Sequence, residues 1–164
     1  MDSVELDLPA QPSSVPTARH AVEELAQHVG ADVSAVRIVI SELVGNAVLH
    51  AYIDREPGPV LVLGRMARGR LIVTVADQGR GMVPRVDSPG LGVGLPIAGK
   101  LARDVRIEAD ERGTIVSASF DIDASEPSPL AEGHGTAERE IERARSLLRR
   151  PRRGAPRRAM ALTA

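Results

Sequence analysis

Residues 33–51 carry a helical stripe that has to be buried. Asp32 is a good N-cap, and after it Val36, Ile40, Leu43, Val44, Ala47, Val48 and Ala51 recur at the three, four, seven and eight spacings of one helix face. Such a face needs other elements to lie against, and the rest of the chain supplies them. Val4-Glu5-Leu6-Asp7-Leu8 alternates with the period of a half-buried strand. Pro9, Pro12 and Pro16 then break the chain, and a first helix runs from near Thr17 to a C-cap at Gly30. Val60 to Arg65 and Arg70 to Ala76 read as two strands joined through Ala67-Arg68-Gly69. A glycine-rich loop leads to a helix from Leu95 to Ala102, where Pro96 fits only in the first turn. Val105 to Ala109 and Thr114 to Ile122 form a last strand pair. The order predicts an α+β fold, a two-layer α/β sandwich whose mostly antiparallel sheet is covered on one face by helices.

With 164 residues there is room for one domain with a sizeable core. Residues 1–124 form that unit. Residues 125–164 read as linker and a basic, mostly disordered tail, with a short charged helix from Thr136 to Arg150. Residues 1–138 hold 20 acidic and 12 basic side chains, whereas the last 26 hold nine arginines against Glu140 and Glu142. An acidic body therefore ends in a basic tail. The absence of cysteine excludes disulfide scaffolds, thiol catalysis and Cys-based zinc sites. Only Tyr52 and Phe120 are aromatic, so stacking of nucleic-acid bases is nearly unavailable. No uninterrupted apolar run nears the ~18 residues of a membrane span, and the N-terminus is acidic, so a soluble cytoplasmic protein is expected.

Three segments carry candidate chemistry. Glu42, Asn46 and His50 lie four residues apart on the second helix and share a polar stripe. The carboxylate can accept a proton, and the amide oxygen can join the shell of a hard cation such as Mg²⁺. Gly45 between them costs the helix about 1 kcal/mol against alanine, which predicts a close approach on that face. Asp77-Gln78-Gly79-Arg80-Gly81 places a carboxylate at a strand end, able to accept from an exocyclic amine such as that of adenine, with two glycines that admit close contact. Gly90-Leu91-Gly92-Val93-Gly94 opens a helix. The strand that a dinucleotide fingerprint requires just before it is missing, which leaves a flexible loop feeding a helix N-terminus, a natural phosphate site.

Glu42-x3-Asn46 on a helix, DxGxG after a strand, GLGxG before a helix and a closing Gly113-Thr114 together resemble the four sequence boxes of GHKL-type ATPases. The compact layout, over residues 4 to 122, resembles the bacterial anti-sigma factors with serine/threonine-protein kinase activity. That resemblance implies a Bergerat-type ATP-binding fold. It makes Glu42 the general base and gives Asn46 to Mg²⁺. Asp77 would fix adenine with Gly79 and Gly81 giving it room, Thr114 would support adenine through water, and Gly90, Gly92 and Gly94 would close over the phosphates of ATP. It also implies an anti-anti-sigma protein as substrate and a sigma factor as a further partner, with homodimerisation left open. Arg19 falls where family members carry a partner-facing arginine. Only Met82 to Pro89 separate the second and third boxes, a short lid that leaves Arg80 and Arg85 as the cations for the γ-phosphate and points to slow transfer. The competing reading is a non-catalytic binding module whose arginine-rich tail engages an acidic partner or nucleic acid.

Overall fold

The computed structural model describes residues 3–81, 94–122 and 134–149. Strand β1 (Ser3–Pro9) is followed by helices α1 (Ser14–Val29) and α2 (Val33–Asn46), and α2 continues as a π-helical turn over Ala47–Ala51. Strands β2 (Pro59–Ala67) and β3 (Arg70–Asp77), helix α3 (Gly94–Leu101), strands β4 (Asp104–Asp110) and β5 (Gly113–Asp121), and helix α4 (His134–Leu148) complete it. The five strands form one sheet in the order β1-β2-β3-β5-β4, with every neighbouring pair antiparallel. The α+β architecture expected from the sequence is present.

Local signals explain most boundaries. The Asp32 carboxylate accepts from the N–H groups of Ser34 and Ala35 at 2.9 and 3.0 Å, which satisfies two donors that the first turn of α2 leaves free. Helix α1 starts three residues earlier than the sequence predicts, because the Ser14 hydroxyl donates to the Pro9 carbonyl at 2.6 Å and holds the first turn to the end of β1. Pro16 then stands in that first turn, where its missing N–H costs nothing.

One face of the sheet is covered by α1 and α2. Val36, Val39, Ile40, Leu43 and Val44 of α2 pack with Val22 and Leu25 of α1 over Val60, Val62, Leu71, Val73 and Val75. The uninterrupted helix from Val33 to Ala51 is 19 residues long with mean hydropathy 1.4, long and apolar enough to cross a membrane by those measures. Arg37 and Glu42 interrupt it, so no contiguous apolar run of that length exists there, although the average stays high. Its apolar stripe is nevertheless the centre of the domain core.

The opposite face is covered as well, by α4. Ile141 and Ala144 are buried against Leu61, Leu63, Ala76 and Ile115, and Glu140 is buried beside Arg65 at 2.5 Å. Arg143 pairs with Glu5 at 2.8 Å, Arg106 with Glu138 at 2.8 Å, and Arg145 with Glu108. The charged helix expected within the stretch read as linker and tail is thus docked on the sheet, and some of its arginines meet the acidic body of the chain.

Candidate active site

Asp77 is the last residue of β3, and the alternation of that strand fixes where it points. Leu71, Val73 and Val75 belong to the core under α2, and Ala76 to the cluster under α4. Asp77 therefore faces the α2 side, as does Thr114, its register partner on β5. Both are buried. One Asp77 oxygen accepts from the Gly79 N–H at 2.9 Å. Burial raises the carboxyl pKa above its ordinary value, and hydrogen bonds from the backbone of Gly79 and Thr114 offset only part of that rise. The fold thus maintains a carboxylate at a sheet end in surroundings that disfavour its charge, a pattern common at binding sites.

The turn after Asp77 is clamped from both sides. On one side is the π-helical turn, the form that inserts into α-helices frequently at functional sites. The Arg80 N–H donates to the Ala51 carbonyl at 3.0 Å, and the Gln78 N–H to the Tyr52 hydroxyl at 2.9 Å. That hydroxyl in turn donates to the Pro59 carbonyl at 2.6 Å, so Tyr52 ties the end of α2 to both β2 and β3. On the other side is the β4–β5 hairpin. Gly81, at φ +73°, lies against the Asp110 carbonyl, and Gly113, at φ +139°, against that of Asp77.

These contacts change the reasons for two glycines. Gly79 and Gly81 were expected to make room for a ligand. In the structure a Cβ on Gly79 would stand 2.2 Å from the Ala51 carbonyl oxygen, and one on Gly81 equally close to that of Asp110. Both glycines are required by the protein's own backbone. Gly79→Ala is accordingly expected to destabilise the fold by about 2–4 kcal/mol through strain and displacement of the Asp77 turn, checked by urea denaturation.

Gly45 behaves in the opposite way. No described residue outside its own helix lies within 4 Å of a Cβ placed there, so among the described residues nothing makes the close approach that this glycine predicts. Gly45→Ala is expected to raise the stability of the ligand-free protein by roughly 0.5–1 kcal/mol, read as a shift in the urea midpoint. On either side of Gly45, Glu42 and Asn46 are half-buried. Among the described residues neither side chain has a hydrogen-bond or ion-pair partner. No described group of three or more His, Asp or Glu could hold a metal ion by itself.

The structure thus brings Asp77, Gly79, Gly81 and Thr114 together at one end of the sheet. Asn46 directly precedes the π-helical turn whose last residue touches Gly79. Gly94 is the first residue of α3, whereas Gly90 and Gly92 lie outside the described residues, as does Arg85. Sequence reasoning missed Tyr52 and the π-helical turn. Tyr52 could have been noticed as the only tyrosine, set directly after the long apolar stripe.

Helices packed over an open antiparallel sheet, with a buried aspartate at the end of a central strand, set the frame for a comparison with known families. The histidine kinase-like ATPase domain family matches residues 8–120, and the chain belongs to it. Among curated proteins, the serine-protein kinase RsbW of Bacillus velezensis is 38% identical over 82 residues, 48% of this chain and 51% of that protein. RsbW of Bacillus licheniformis is 29% identical over 137 residues, 73% of this chain and 86% of that protein. In most of the relatives the matched stretch is about half of their length. Among solved structures, the RsbU and RsbW domains of Rv1364c from Mycobacterium tuberculosis superpose with a TM-score of 0.60 at 25% identity, covering 74% of this chain and 32% of that one.

Proposed function

We propose that this protein is an ATP-dependent serine/threonine protein kinase acting in the cytoplasm as an anti-sigma regulatory factor, with an anti-anti-sigma protein as its phosphorylated substrate. The observation that carries the reading is the half-buried pair Glu42 and Asn46, without protein partners among the described residues, on the helix whose end grips the Asp77 turn. The RsbW relatives, named serine-protein kinases, supply the reaction class.

In this reading the residues divide the work by chemistry. Asp77 accepts from the exocyclic amine of adenine, and Thr114 beside it supports the base. Gly90, Gly92 and Gly94 line the phosphates at the start of α3, where free N–H groups favour an anion. Asn46 offers its amide oxygen to Mg²⁺, which when bound neutralises phosphate charge. Glu42 takes the proton of a serine or threonine hydroxyl on the protein substrate as that oxygen bonds to the terminal phosphorus and the bond to ADP breaks. A carboxylate with no partner among the described residues is free for that proton.

Part of the arginine-rich tail is engaged by the protein itself. Two of its arginines, Arg143 and Arg145, pair with Glu5 and Glu108 of the sheet. Calorimetric titration with ATP, with and without Mg²⁺, followed by transfer of labelled phosphate to an anti-anti-sigma protein, tests the proposal. Mg²⁺-dependent binding and a labelled serine or threonine are expected. Absence of nucleotide binding would overturn the reading, and binding without transfer would reduce it to an ATP-dependent binder.

A further inference from the structure

Phosphoryl transfer leaves unused a recess on the other side of the sheet. The C-terminal turn of α4 and the β4–β5 hairpin enclose a cavity of about 500 Å³, a volume typical of small-molecule sites. Glu108 and Ile115, register partners, line it on the face that α4 covers, as the contact of Arg145 with Glu108 shows. Asp77 borders it, yet its carboxylate and Thr114 face the opposite way, and neither Glu42 nor Asn46 lines it. The recess is therefore distinct from the phosphoryl-transfer site, with the strand ends as the wall between them.

Its lining combines apolar side chains, Ile115 and Leu148 among them, with three arginines and the carboxylates of Glu108 and Asp110. Arg145 is neutralised by Glu108 and by Glu142, the latter at 3.0 Å. The Asp110 carboxylate accepts from the backbone N–H of Arg112 at 2.8 Å and does not reach its guanidinium. Among the described residues no carboxylate pairs with the guanidinium of Arg112 or Arg149. One comes from the hairpin and the other from the end of α4, the two elements that enclose the recess. Planar guanidiniums without partners select phosphate and carboxylate groups, and the walls select the body attached to them.

We propose that this recess binds a small organic anion, a phosphate or carboxylate carried on an apolar body. Gln78 places the site next to the nucleotide side without merging the two. Its side-chain amide donates to the Leu148 carbonyl at 2.5 Å, while its backbone N–H holds Tyr52.

The test uses the full chain and anilinonaphthalene sulfonate, an anionic group on an apolar body, as the probe. A saturable fluorescence titration with one site is expected. Arg112→Glu and Arg149→Glu should each weaken it roughly tenfold while circular dichroism and the melting temperature stay unchanged. In methyl-labelled protein the probe should shift the Ile115 and Leu148 resonances and leave those of Ile40 and Leu43 in α2 in place. Unaltered affinity in both arginine variants, non-saturable binding, or shifts confined to α2 would each overturn the proposal. None of these readouts depends on ATP binding, so the site can fail while the kinase reading stands, and the reverse.

Discussion

Asp77→Asn is expected to weaken ATP binding about 100-fold and, in the same protein, to raise the melting temperature of the nucleotide-free form at neutral pH. The two effects have one cause. The Gly79 N–H continues to find an oxygen on the asparagine side chain, so the amide nitrogen is turned toward the adenine amine, and donor meets donor. A charge-assisted hydrogen bond is worth roughly 1.5–3 kcal/mol, and its replacement by an opposed pair gives the loss in affinity. Without nucleotide the balance reverses. Burial raises the Asp77 pKa above the 3.8 of the unfolded chain. A group shifted that way contributes stability that is complete below the unfolded value and is lost as pH rises through the folded value. Above its raised folded value the wild type carries a buried charge at a cost that asparagine does not have. The gain of the variant should be largest at neutral pH and should vanish as pH falls toward 3.8, measured by thermal denaturation in a pH series. A variant less stable than wild type at pH 7, or one that binds ATP normally, would contradict the placement of Asp77.

The elements that the sequence disclosed are those with local causes. Asp32 and the stripe from Val36 to Ala51 define α2 because a cap and a 3.6-residue period need no distant partner. The sheet was legible from alternation and turn residues. Long-range packing was not. Nothing in Ile141 and Ala144 announces that they lie on Leu61 and Ile115, since a charged helix of that kind is equally at home in water. The site divides in the same way. Glu42, Asn46 and Asp77 were identified by residue type and spacing, which is all that their proposed chemistry needs. The tightness around Gly79 and Gly81 depends on the carbonyls of Ala51 and Asp110, far away along the chain, and no local pattern encodes those distances. The π-helical turn belongs with them, because one extra residue in a helical turn is set by what the helix end must reach, here the turn after Asp77.

For Glu42→Gln the proposal requires a fall in phosphoryl transfer of about 100- to 10,000-fold with ATP affinity changed by less than about threefold. That range is the usual contribution of a positioned general base. Glutamine keeps the size of the side chain and one acceptor oxygen, so packing on α2 is preserved. It cannot take a proton near neutral pH, and so only the proton-accepting role is removed. Because no described group is bonded to Glu42, its replacement leaves no orphaned donor, and the melting temperature should hold within a degree or two. Single-turnover transfer to the partner serine, measured beside calorimetric titration of ATP, separates the possible roles. Loss of both binding and transfer would move Glu42 from the proton to the nucleotide. Transfer within tenfold of wild type would leave the hydroxyl to be activated by position and charge alone. The short Met82–Pro89 lid makes the comparison sharper, because it leaves few cations besides Arg80 and Arg85 for the terminal phosphate. When charge neutralisation is thin, a larger share of the rate falls to the base, and its removal should reach the upper end of the range.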